Sequence, residues 1–190
     1  MPYEQLNKER ILAALRRLGE LALAEGTQLE IALYGGAVFT LVYESRATTK
    51  DVDAIARPSD LAKRLVAQVA SEQKLVDEWL NDDVKMFLAG VGALRPLDTL
   101  ALGEGIRISV PTAAYLLALK LRSCRRPLAG VAGDYEDIRF LLKKMNITSV
   151  AEAEAVFERF FPEDAMLTTT AETVRNLLKE ISETRAVKSK

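Results

Sequence analysis

Apolar residues recur at helical spacing over residues 4–25, where Ile11, Leu15, Leu18 and Ala22 share one face and Leu12 and Leu21 widen it. Gly26 closes this predicted helix. Residues 29–34, Leu-Glu-Ile-Ala-Leu-Tyr, read as a strand that runs into Gly35-Gly36. A short apolar helix is predicted over 37–44, then a polar connection from Ser45 to Lys50 and a second strand from Asp51 to Ala56. Pro58-Ser59-Asp60 opens a helix to about Glu72. A strand is predicted over Val84–Ala89, and residues 97–102 and 106–110 read as a hairpin turning at Gly103-Glu104-Gly105. From Thr112 onward the period is helical, with helices expected at 112–123, 134–145, 149–160 and 169–184. Ser149 and Glu152 have capping-box spacing. Arg185 to Lys190 are expected to fray.

Strands and helices mix up to residue 111, and only helices follow. This order predicts an α/β or α+β fold, a small mixed β-sheet flanked by helices, with a core at 1–111 and a helical C-terminal part at 112–190. No apolar run approaches the roughly 18–20 residues that span a membrane. The polar start from Met1 to Arg10 lacks the apolar centre of a signal peptide. A cytoplasmic protein is therefore expected.

Composition narrows the chemistry. The chain has no histidine and one cysteine, Cys124, which excludes the usual histidine-assisted nucleophiles, a cysteine- and histidine-built zinc site and an internal disulfide. Metal chemistry must then use oxygen ligands, so Mg²⁺ or Mn²⁺ is the first expectation. The formal net charge of −1 argues against wholesale coating of nucleic acid, but leaves room for a local basic patch.

The most informative stretch joins Gly35-Gly36 to Asp51-Val52-Asp53. Paired glycines between a strand and a helix let backbone approach a ligand closely, and amides there suit phosphate. Asp51 and Asp53 lie two apart on a predicted strand, so both face one way while Val52 and Ala54 face the core. Neighbouring carboxylates repel unless a cation bridges them, and a divalent ion holding triphosphate oxygens does so. Solvated-turn and edge-strand readings compete for each motif taken alone.

Gly35-Gly36, followed by Arg46-Ala47-Thr48-Thr49-Lys50-Asp51-Val52-Asp53, resembles the minimal nucleotidyltransferases with a DNA-polymerase-β-like fold. Within that superfamily the sequence looks most like the toxin–antitoxin nucleotidyltransferases of the AbiEii and MenT group. Trp79-Leu80-Asn81-Asp82 with Lys85 and Phe87 also looks like a subgroup of small nucleotidyltransferases. The resemblance covers about residues 30–145. It implies transfer of a nucleoside monophosphate from an NTP, with Mg²⁺ (or Mn²⁺) on Asp51 and Asp53. It also implies a macromolecular acceptor such as a tRNA 3′ end, and a cognate antitoxin as protein partner. Gly35, Gly36, Arg46, Lys50 and Lys120 would contact the nucleotide.

In that group a lysine on one helix and an aspartate on the next complete the site, and Lys120 with Asp137 or Asp134 looks like a match. Here Asp134 is expected to cap its helix and Asp137 to serve as the catalytic residue. For Lys120 the competing reading is a side chain snorkelling from the last helical turn. A third carboxylate is common in the superfamily, and Asp83 and Asp98 are the candidates. Lys120, Arg122, Arg125 and Arg126 form a basic cluster able to hold a triphosphate or an RNA backbone, or else a solvated loop. Arg46 could steady a phosphate, against the alternative of an ion pair with Glu44 or Asp51. Trp79 reads as a core anchor, Tyr34 as strand packing and Cys124 as a bystander. Two other functions stay open: a small-molecule- or protein-modifying nucleotidyltransferase, and an inactive nucleotide-binding or antitoxin module.

Overall fold

The computed structural model describes residues 5–128 and 133–188, with side chains described to residue 184. Two compact units form, one from Met1–Met86 and Leu94–Pro111 and the other from Phe87–Ala93 and Thr112–Lys190. The class is mixed α/β, as the order of patterns predicts.

The first unit begins with a two-residue strand, β1 (Leu6–Asn7), followed by α1 (Lys8–Ala24). The helix starts at 8 rather than 4 because Asn7 caps it, accepting from the Arg10 amide at 2.9 Å. Leu6 and Asn7 pair instead with β3 (Thr48–Thr49) in a small antiparallel ladder. Glu4, the first residue of the predicted helix, lies outside the described residues. β2 (Leu29–Leu33) buries Leu29, Ile31 and Leu33 and leaves Glu30 exposed, the period of two that the sequence shows. α2 (Gly35–Leu41) follows at once, so the glycines open the helix rather than precede it. β4 (Val52–Arg57) and α3 (Ser59–Gln73) come next.

The main sheet has the order β5-β4-β2-β7-β6. Its edge strands are β5 (Leu80–Asn81) and β6 (Leu94–Pro96), and β7 (Ile106–Pro111) lies between β6 and β2. β2 runs antiparallel to β4, with Leu33 opposite Ala54, and parallel to β7, with Ile31 opposite Ile108. Trp79 is fully buried, and its indole N–H donates to the Val66 carbonyl at 3.2 Å.

Two predicted strands are corrected. Residues 84–89 form no strand: a 3₁₀ helix spans Asp83–Phe87. The place beside β4 is taken by Leu80–Asn81. Local polar bonds then turn the chain, from the Asp83 amide to Asn81 Oδ1 at 3.1 Å and within the Lys85–Asp82 ion pair. The hairpin is also shifted, because β7 pairs with Leu94–Pro96 rather than 97–102. Residues 97–105 are drawn against α1: Arg16 donates to the Ala101 carbonyl at 3.0 Å, and the Gly105 backbone abuts Gly19.

The second unit packs α4 (Ala113–Ser123), α5 (Tyr135–Lys144), α6 (Val150–Phe160) and α7 (Thr168–Lys188) on one another. Thr112 caps α4 through the Tyr115 amide. Ser149 caps α6, accepting from the Glu152 amide at 3.2 Å, while the Glu152 carboxylate accepts from the Thr148 amide at 2.7 Å. The capping box is thus closed one residue earlier than its usual form. α7 continues to Lys188, so fraying from Arg185 is not observed there; residues 189–190 lie outside the described residues. Among the described residues, no helix is long and apolar enough to cross a membrane.

Candidate active site

The first unit brings the glycine turn and the acidic strand into contact. The Tyr34 amide donates to the Asp53 carbonyl at 2.8 Å, which locks the end of β2 to the start of β4. Gly35 then takes a left-handed φ of +56°. A Cβ on Gly35 would fall 2.1 Å from Asp53 Oδ2 and 3.1 Å from its carboxyl carbon. The Asp53 carboxylate therefore occupies the space that the missing side chain leaves. Gly36 is tight for a different reason: a Cβ there would fall 2.2 Å from Thr49 Oγ1 and 3.5 Å from the Arg46 guanidinium.

Thr49 carries part of this geometry. It is buried, it pairs with Leu6, and its hydroxyl donates to the Asp51 carbonyl at 3.1 Å. Nothing in the sequence singles it out beyond its place two residues before Asp51. Asp51 and Asp53 are half-buried while Val52 and Ala54 are buried, so the two carboxylates share the more open face. Arg46 lies 5.9 Å over the Phe39 ring, and Glu44 pairs with Lys8. Lys50 is exposed directly before Asp51.

The third carboxylate is not found among the described residues, where no group of three or more potential metal-ligating side chains gathers. Asp83 opens the 3₁₀ helix and Asp98 lies in the loop after β6; both are exposed. A pair still suits Mg²⁺, which is commonly held by one or two carboxylates together with substrate phosphates. Oxygen donors on one face fit that cation.

Lys120, Asp134 and Asp137 come together in the second unit. Lys120 Nζ is 2.6 Å from Asp134 Oδ1 and 2.9 Å from Asp137 Oδ2, and all three side chains are buried. The physical cause lies in the helices. Every residue of α4 from Tyr115 to Leu121 is buried, so Lys120 has no solvent face along which to snorkel. On α5, Asp134 and Asp137 continue the buried stripe of Ile138 and Leu141 at helical spacing. Two acids on an inward face require cations.

The expected capping role of the Asp134 side chain is corrected here. Asp134 stands at the cap position of α5, but its side chain makes no capping bond. It accepts instead from Ser123 Oγ at 3.0 Å, from the Arg125 amide at 2.9 Å and from the Arg125 guanidinium at 3.0 and 3.1 Å. Burial works against its ionised form. The hydrogen bonds from Arg125 and the charge of Lys120 outweigh this and hold the carboxyl well below the usual carboxylate range. Ser123 and Arg125 escaped the sequence reading as partners of Asp134. The usable signal was an acid placed on an apolar helical stripe.

The basic cluster is largely balanced by acids. Lys120 and Arg125 meet Asp134, and Arg122 pairs with Asp164 at 2.6 Å while lying 4.4 Å over the Phe161 ring. Cys124 ends α4 in a left-handed conformation, and burial pushes its thiol up. Comparison of the chain with protein-family models, with curated proteins and with solved structures found no match.

Proposed function

We propose that the chain is a nucleotidyltransferase that moves a nucleoside monophosphate from an NTP to an acceptor hydroxyl. The observation that carries this reading is the packing of the Asp53 carboxylate on the Gly35 turn. It makes the bare backbone and the acidic pair one locus rather than two unrelated motifs. Asp51 and Asp53 would hold Mg²⁺ (or Mn²⁺), which when bound neutralises triphosphate charge and activates the attacking oxygen. Gly35 and Gly36 let the Asp53 carboxylate and the Thr49 hydroxyl pack directly on the backbone that opens α2. Arg46, next to Gly36, and Lys50, next to Asp51, supply positive charge for the triphosphate.

The resemblance to toxin–antitoxin nucleotidyltransferases extends the proposal to an RNA acceptor, such as a tRNA 3′ end, and to a protein antitoxin. The test is incorporation of labelled NTP into tRNA, protein and small-molecule acceptors, with wild type, Asp51→Ala and Asp53→Ala. Transfer by wild type that both variants lose supports the reading. Incorporation that survives in the variants sinks it.

One observation favours a second reading, an inactive nucleotide-binding module: the Lys120 ammonium is already met by two carboxylates. In that case Mg²⁺ and NTP raise the melting temperature, but no acceptor becomes labelled.

A further inference from the structure

β4 separates two environments. Asp53 points from one face, while the alternate residues Ala54 and Ala56 line a cavity of about 290 Å³ on the other. Ala62 and Val66 of α3 and Leu80 of β5 complete an aliphatic floor. The rim is acidic. Asp77, Glu78 and Asp83 stand on it with no ion pair among the described residues, Asp82 is paired with Lys85, and Lys63 is the one cation that lines the cavity.

Three properties narrow the ligand. The volume lies at the lower end of the roughly 300–1,000 Å³ of small-molecule sites, so the occupant is small. Uncompensated carboxylates favour a cation, and no aromatic ring lines the cavity to form a cage for a quaternary ammonium. The acids also do not converge, since no three potential metal ligands gather among the described residues. Carboxylates spaced around an aliphatic floor suit separated charges on an apolar chain rather than one metal ion.

We propose that this cavity binds a small aliphatic polyamine, its methylene chain on the alanine floor and its ammonium groups at Asp77, Glu78 and Asp83. The proposal is independent of the nucleotidyltransferase reading, because the acids of that site face away from the cavity.

The test is calorimetric titration of spermidine at low ionic strength into the full chain. Saturable one-to-one binding is expected for wild type and for Asp51→Asn. Binding at least tenfold weaker is expected for Asp77→Asn/Glu78→Gln, which removes charge, and for Ala56→Leu, which fills the cavity. Circular dichroism verifies folding, and Ala62→Leu fills the same space from α3 should Ala56→Leu fail to fold. No saturable binding would overturn the proposal. So would weakening by the charge variant without the filling variant, weakening by Asp51→Asn, or displacement by Mg²⁺ at the same concentration as spermidine.

Discussion

The Asp53 carboxylate lies where a side chain on Gly35 would have to be, with Oδ2 2.1 Å from the position of a Cβ. That contact couples the turn after β2 to the face of β4. Gly35→Ala meets two penalties, the left-handed φ of +56° and the displacement of Asp53. Left-handed backbone costs a non-glycine residue roughly 1–2 kcal/mol, and overpacking a further ~1–3 kcal/mol. In an Asp53→Ala background only the backbone penalty remains. Urea unfolding of the four proteins should therefore show Gly35→Ala costing less in the double variant. Equal costs in both backgrounds would mean that the two residues are not coupled.

The acidic pair makes a separate prediction about ligand linkage. A ligand that binds only the folded state stabilises it by about 2.7 kcal/mol at a hundredfold excess over Kd. Mg²⁺ with NTP should raise the melting temperature of wild type, and chelation of the metal should reverse most of the shift. Asp51→Asn and Asp53→Asn should fold, yet lose most of the stabilisation. A full shift in both variants would place the nucleotide elsewhere.

Where the physics was local, the sequence was readable. The alternation in 29–33 and the 3.6-residue period of Ile138, Leu141 and Leu142 each carry their own burial signal. The failures came from competition. Val84, Met86 and Phe87 look like strand residues, but β4 already has Leu80–Asn81 beside it, and Met86 is left 76% exposed. Residues 97–102 lost their ladder to α1, which no pattern within that segment announces. In the candidate site, Gly35, Gly36, Asp51 and Asp53 were visible as residue types at a spacing. Thr49 was not, because its role is a hydroxyl bond to a backbone carbonyl. Asp134 was misassigned because a helix cap and a buried ion-pair hub occupy the same sequence position.

The buried trio of Lys120, Asp134 and Asp137 predicts a large stability effect. Removing one partner of a buried pair strands the other charge and costs ~3–5 kcal/mol. Lys120→Met leaves Asp137 without that ammonium, and Asp134→Asn removes the negative charge and one of the two oxygens that accept from Lys120, Ser123 and Arg125. Each should be strongly destabilised in urea unfolding. Lys120→Met/Asp134→Asn should cost less than the sum of the two, since the residues share one network. If Lys120 served only to touch substrate, Lys120→Met would unfold at the same urea concentration as wild type.

The same network sets a pH dependence with a definite sign. The carboxyl of folded Asp134 titrates below its ordinary range: burial opposes its charge, but Arg125 and Lys120 override that opposition. In the unfolded chain it titrates near the ordinary value of about 3.9. Well above that value both states are ionised, so the stabilisation from Asp134 is complete and constant. As pH falls through it, the unfolded state takes up a proton that the folded state refuses, and stability declines by up to ~1.4 kcal/mol per pH unit for this one group. Glu25, Glu44, Glu72, Asp82 and Glu152, also held low by their partners, act in the same direction. The difference between wild type and Asp134→Asn isolates the buried group. Urea unfolding at pH 3, 4, 5 and 7 should show that difference flat between pH 5 and 7 and shrinking below pH 4. A difference that stays constant down to pH 3 would show that Asp134 does not keep its charge through its bonds to Lys120 and Arg125.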